Sequence, residues 1–122
     1  MEHLTKTPVF HDWAFLKKRG EDINTMWKKI PANIDILITH GPPLGRGDKT
    51  YTRTHAGCVN LLRIVQNHVK PRYHIFGHIH EGYGVSSDGT TTYINASTCN
   101  LMYRPVNKPV VFDIEMKDGD HE

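Results

Sequence analysis

No stretch of this chain stays apolar long enough to cross a bilayer, and its first residues lack the apolar core of a secretion signal. No membrane partner is therefore expected, and a cytoplasmic location is. Cysteine is scarce: Cys58 and Cys99 are the only two, far apart in sequence, which excludes a disulfide framework and a Cys-X-X-Cys redox pair. Reduced thiols are the expectation. The same scarcity argues against a structural zinc module, because a closed four-ligand site cannot be assembled around cysteines so placed. Charge of one sign is also lacking. Fifteen basic residues stand against 13 acidic ones, for a formal net charge of +2, and the basic side chains are scattered. No specific nucleic-acid binding is expected from that distribution. There is no internal repeat and no low-complexity run, and 122 residues suffice for one small domain or for part of a larger one.

What the chain does have is histidine at the ends of strand-like runs. Tyr73-His74-Ile75-Phe76 alternates as a β-strand does, and Gly77-His78-Ile79-His80 follows it. Residues i and i+2 of a strand share a face, so His78 and His80 are expected to project together if they continue the strand line, with Gly77 giving the backbone room to turn. A lone His-X-His is more often a solvated surface pair than a ligand pair. A second run alters that balance: residues 34–39 are β-branched and apolar, and they end in His40-Gly41-Pro42-Pro43. Ligands of open α/β sheets bind in the crevice outside the carboxyl ends of parallel strands. If the two strands are neighbours, their terminal histidines meet there. A helix is expected over residues 57–69, stopped by Pro71, with Val59, Leu62, Ile64 or Val65, and Val69 on its apolar stripe. It would serve as the crossover that parallel strands require.

The remaining chain supplies cover and loops. Residues 9–16 cluster Val9, Phe10, Trp13, Phe15 and Leu16 too densely for a free tail, so association through an uncovered apolar surface is expected if nothing in the chain packs on them. A helix is expected over residues 21–30, with Ile23, Met26, Trp27 and Ile30 as its core face. Residues 41–55 read as a loop over the strand ends and a candidate lip for a substrate. Neither Gly45-Arg46-Gly47-Asp48 nor its Arg-Gly-Asp tripeptide carries a mechanism, the first because it lacks the ending of a phosphate loop. His55 and His68, standing alone, are expected as caps or surface groups. Asp88-Gly89 between two β-prone runs predicts a hairpin, and Asn95-Ala96-Ser97 matches a glycosylation acceptor that has no consequence without secretion. A final strand is expected over residues 106–114 from the alternation of Val110, Phe112 and Ile114.

Three segments together resemble the calcineurin-like metallophosphoesterase superfamily, and within it the metallophosphoesterase-domain-containing group. They are Thr39-His40-Gly41-Pro42-Pro43-Leu44-Gly45, Gly77-His78-Ile79-His80-Glu81-Gly82-Tyr83-Gly84 and residues 88–97. The resemblance implies an α/β fold, namely the carboxyl-terminal half of an α/β/β/α sandwich, with residues 1–122 forming a partial domain. It implies a dinuclear centre of divalent transition metals, Mn, Fe, Ni or Zn, in which His40 and His78 bind one ion and His80 the other. Two such ions clamp a phosphate and lower the pKa of a water for attack on phosphorus. The implied activity is hydrolysis of phosphodiesters, with cyclic nucleotides among the candidate substrates and a small phosphoester or nucleotide as the partner molecule. The family's amino-terminal Asp-X-His, bridging Gly-Asp and Gly-Asn-His segments have no match here, since Asp12 follows His11 in the wrong order and Gly47-Asp48 comes after His40. No complete set of catalytic residues is therefore expected in this chain. The alternative is a truncated, inactive fragment that binds one metal weakly or acts as an interaction module.

Overall fold

A computed structural model describes residues 25–115 throughout and, before them, only the backbone pairing of three two-residue strands. Those are β1 (Leu4–Thr5), β2 (Thr7–Pro8) and β3 (Leu16–Lys17); they are followed by β4 (Ile36–Thr39), β5 (Tyr73–Phe76), β6 (Gly84–Ser87) and β7 (Thr92–Asn95). The main sheet runs β1-β4-β5-β7-β6, while β2 and β3 pair separately. Its first three junctions are parallel and only the β6–β7 edge is antiparallel. The fold is α/β, a mostly parallel sheet with helical cover.

Strands β4 and β5 are adjacent and parallel, with Ile36, Leu37 and Ile38 opposite Tyr73, His74 and Ile75. Both alternate between buried and half-buried positions. Here Leu37, Thr39, His74 and Phe76 are enclosed, while Ile36, Ile38 and Ile75 on the other face are only half covered. Strand β4 also starts two residues later than expected, because the carbonyl of Asp35 accepts from Arg72 and Tyr73 as the two chains converge.

Between them lies the crossover helix α1 (Val59–Ile64), continued by a wider π-turn over Val65–Val69. The expected single helix is thus two helical forms end to end. Lys70, at φ +46°, closes it by donating its N–H to the carbonyl of Val65. Leu61, Val65 and Val69 face inward and join Trp27, Ile30, Ile34, Leu37, Phe76 and Tyr93 in one core. Val59, placed on the apolar stripe by its spacing, is exposed instead. Residues 25–27 are helical, and the Trp27 indole N–H donates to the buried Cys58 thiol at 3.2 Å. Both cysteines are unbridged.

The Asp-Gly hairpin forms as its chemistry predicts. Asp88 accepts from the N–H groups of Thr90 and Thr91, and Gly89 takes φ +91°. The strand expected over residues 106–114 does not form; that segment has no regular structure. Pro105 and Pro109 withhold two backbone donors from any ladder. The segment is held by side chains, with the Tyr83 and Tyr73 hydroxyls donating to the carbonyls of Lys108 and Asp113 and the Tyr73 ring stacked on Phe112 at 4.2 Å. Residues 9–15, with their apolar cluster, and residues 21–24 of the expected first helix lie outside the described residues. None of the described helices is long and apolar enough to cross a membrane.

Candidate functional site

The parallel register of β4 and β5 brings both strands to their carboxyl ends side by side, and the chains leave them coupled. The N–H of Gly77 donates to the carbonyl of His40 at 2.9 Å. The sequence argument had the strand continuing through His78 and His80 so that both rings shared a face. The chain does otherwise: β5 stops at Phe76, and His78 takes φ +68° while Ile79 N–H donates back to the Gly77 carbonyl at 2.8 Å. That is a three-residue turn with a left-handed centre, a strained arrangement for a residue with a Cβ. His78, and not Gly77, is the residue that carries the positive φ. His80 then opens a short 3-10 turn, His80–Gly82.

The turn aims His78 back at His40. Nε2 of His40 lies 3.1 Å from Nδ1 of His78, and the ring centroids are 4.8 Å apart. Burial lowers the pKa of His40. Burial also pushes His78 down, to about 4, helped by the neighbouring charges of His40 and His80 and opposed by Glu81. Both rings are neutral at physiological pH, the form in which imidazole donates a lone pair. His80 stands apart from the pair: its Nδ1 faces the Asn100 carbonyl at 3.2 Å and its ring meets the edge of Tyr103 at 5.3 Å.

The donor set passes a test for a divalent ion in part. Two imidazole nitrogens bound to one ion at about 2.0–2.1 Å each must lie roughly 3 Å apart, close to the 3.1 Å between His40 and His78. Among the described residues, however, no three His, Cys, Asp or Glu side chains gather closely enough to hold an ion. The two nitrogens are thus spaced as donors to one ion would be, and the described residues bring no third.

Two residues to which sequence reasoning gave no structural role, Asn95 and Asp48, fix the segments around this pair. Asn95, the last residue of β7 and fully buried, donates through Nδ2 to the carbonyls of Gly47 and Ile79, both at 2.8 Å. Its Oδ1 accepts from the N–H and hydroxyl of Ser97. One side chain therefore ties the 41–57 loop to the peptide between His78 and His80. The loop lies so close to that segment that a Cβ on Gly82 would meet the Gly47 carbonyl oxygen at 2.2 Å. Asp48, 1 % exposed, organises the loop itself by accepting from Gly45 N–H, Gly57 N–H and Nδ1 of His55. His55 is thus fixed by a carboxylate, which its solitary position in the sequence did not suggest, whereas His68 is exposed on the π-turn. The one usable signal for Asn95 was an amide at the end of a strand-like run.

No protein-family model matches the chain. Individual relatives do. It is 55 % identical over 108 residues to metallophosphoesterase domain-containing protein 1 of Homo sapiens, covering 88 % of this chain and 33 % of that protein. The Mus musculus protein of the same name matches equally well. A Caenorhabditis elegans protein, UPF0046 protein T07D4.2, is 48 % identical over 107 residues, covering 88 % of this chain and 27 % of its own length. The chain spans about a third of the human and mouse relatives. With its α/β sheet, its paired strand-end histidines and these identities, the chain belongs to the metallophosphoesterase-domain-containing group of proteins.

Proposed function

We propose that this chain is the segment of a metal-dependent phosphodiesterase that carries three of its metal ligands, with His40 and His78 holding one divalent ion and His80 a second. The observation that carries the reading is the 3.1 Å approach of two neutral imidazole nitrogens from different strands. At that distance one neutral ring can donate its N–H to the other, a contact that a bound ion would replace with two lone pairs, and His78 adopts its positive φ in making it. A pair of divalent ions would supply Lewis acidity toward a phosphoryl group and lower the pKa of an attacking water. The chain's own part is to orient three rings, to keep His40 and His78 unprotonated, and to wall the site with the 41–57 loop. Cyclic nucleotides fall within the substrate class, and the cytosol is the proposed location. Further ligands, carboxylates above all, belong to the two-thirds of the relatives' length that this chain does not span.

Manganese-dependent hydrolysis of bis-p-nitrophenyl phosphate by an extended chain that includes the missing length tests this. His78→Ala is expected to reduce the rate at least about a hundredfold, as loss of a metal ligand does; unchanged activity in both His78→Ala and His80→Ala overturns the assignment. The second reading, an inactive fragment that binds one ion weakly or acts as an interaction module, is favoured by the lack of a third convergent ligand among the described residues. Full hydrolytic activity of the 122-residue chain alone would reject it.

A further inference from the structure

The 41–57 loop does more than wall the histidine pair. Between it and residues 81–83 lies an open cavity of about 520 Å³, bordered by Lys49, Tyr51, His55, Glu81 and Tyr83. Its floor is unusually well fixed for a loop. Asp48 is buried with three hydrogen-bond donors on its carboxylate, and one of them is the His55 ring at 2.7 Å. With Nδ1 committed to Asp48, Nε2 is the nitrogen that His55 has left for a ligand, on a side chain 53 % exposed. A carboxylate behind an imidazole sets its orientation and tautomer.

The walls are aromatic and equally fixed. Tyr51 is 72 % exposed, yet its backbone N–H donates to the Glu81 carboxylate at 2.9 Å. Tyr83 is 36 % exposed, and its hydroxyl is tied to the Lys108 carbonyl. Exposed tyrosines on anchored backbone favour planar π-systems; the Lys49 ammonium donates to an acceptor, while Nε2 of His55, left as a lone pair once Nδ1–H donates to Asp48, accepts from a donor. The cavity is tied to the histidine segment, since Glu81 follows His80 in the chain and Asn95 binds the carbonyls of both Gly47 and Ile79.

We propose that this cavity is the subsite for the organic group of the phosphoester, selective for an aromatic group, and that Tyr51 and His55, the latter oriented by Asp48, are specificity-determining contacts within it. The proposal rests on the phosphodiesterase reading, but it can be tested apart from it in the 122-residue chain without catalysis. The chain, labelled with 15N-histidine, is titrated with phenyl phosphate and with methyl phosphate in the presence of zinc, while the ring nitrogens of His55 and His78 are followed separately. Phenyl phosphate is expected to bind about five- to tenfold more tightly than methyl phosphate, the range of one stacking contact, and to shift His55. That preference should vanish in Tyr51→Ala and in His55→Ala. His55→Ala leaves Asp48 one donor short, so Tyr51→Ala, which leaves the carboxylate untouched, decides the matter if the first variant fails to fold. Equal affinities, or a His55 signal unmoved by phenyl phosphate, overturn the subsite. A His78 shift with His55 unmoved removes the subsite and leaves the phosphodiesterase reading standing; a His55 shift with His78 unmoved does the reverse.

Discussion

Replacing Asn95 with alanine is expected to lower the unfolding free energy by about 3–5 kcal/mol, because several buried polar groups lose their partner at once and each costs roughly 1–3 kcal/mol when left unpaired. Those groups are the carbonyls of Gly47 and Ile79 and the N–H and hydroxyl of Ser97. None of the four is replaced by water without opening the contact between the 41–57 loop and the 78–82 segment, which Gly47 and Gly82 bring to backbone contact. The local consequence matters as much as the global one. Ile79 is the peptide between the candidate ligands, so its release should let His78 relax from φ +68° and separate from His40. Asn95→Asp is nearly the same shape but presents only acceptors to two carbonyl oxygens, and it should cost at least as much at neutral pH. Urea denaturation read by tryptophan fluorescence measures both variants. A loss below about 1 kcal/mol for Asn95→Ala, the value of one ordinary hydrogen bond, would show that the amide is not the tie described here.

The second large effect is on pH dependence and comes from His74, which is fully buried. Thr39 donates its hydroxyl proton to the Gly41 carbonyl, so its oxygen is left to accept from Nε2–H of His74 at 3.0 Å. That assigns the tautomer: Nδ1 carries no proton and, among the described residues, has no hydrogen-bond partner. The edges of Phe76 and Tyr93 close around the ring, with centroids 5.1 and 5.8 Å away. Burial pushes the folded-state pKa down from 6.5 to about 3. Between those values the unfolded chain takes up a proton that the folded chain refuses, so stability is complete above about pH 6.5 and falls as pH drops toward 3. The slope is about 1.4 kcal/mol per pH unit, and the total is on the order of 5 kcal/mol. His78, also pushed down, to about 4, adds loss of the same sign. Unfolding free energies at pH 6, 5 and 4 should therefore fall more steeply for the natural chain than for His74→Gln, by about 1.2–1.4 kcal/mol per unit. Equal slopes would mean that His74 is not held neutral.

Much of this arrangement is written in local sequence, and the reasons for the remainder are physical. Strand β5 coincides with the alternating run Tyr73–Phe76, and the β6–β7 hairpin follows from Asp88-Gly89, since each signal acts over a few residues. The approach of His40 to His78 follows from two strands that each end in histidine and pair in parallel. Its mechanism was not legible: Gly77 has the composition of a turn residue, but the left-handed position falls on His78, because the Gly77 N–H is spent on the His40 carbonyl. Residues 106–114 alternate as a strand does, yet two prolines and two tyrosine hydroxyls determine their course. Asp48 and His55 are seven residues apart, and no local periodicity pairs them; only the folded loop does. Asn95 sits in a motif whose familiar meaning, glycan attachment, hid its role as a tie between backbone segments.

The central claim is that His40 and His78 together offer one divalent ion two lone pairs, from Nε2 and Nδ1 respectively. Titrating zinc into the 15N-histidine-labelled chain tests it directly. The account predicts that these two nitrogens shift together at a single stoichiometry, and that His78→Ala abolishes the response of His40. Independent shifts with different affinities, or a His40 ring unaffected by zinc, would contradict it.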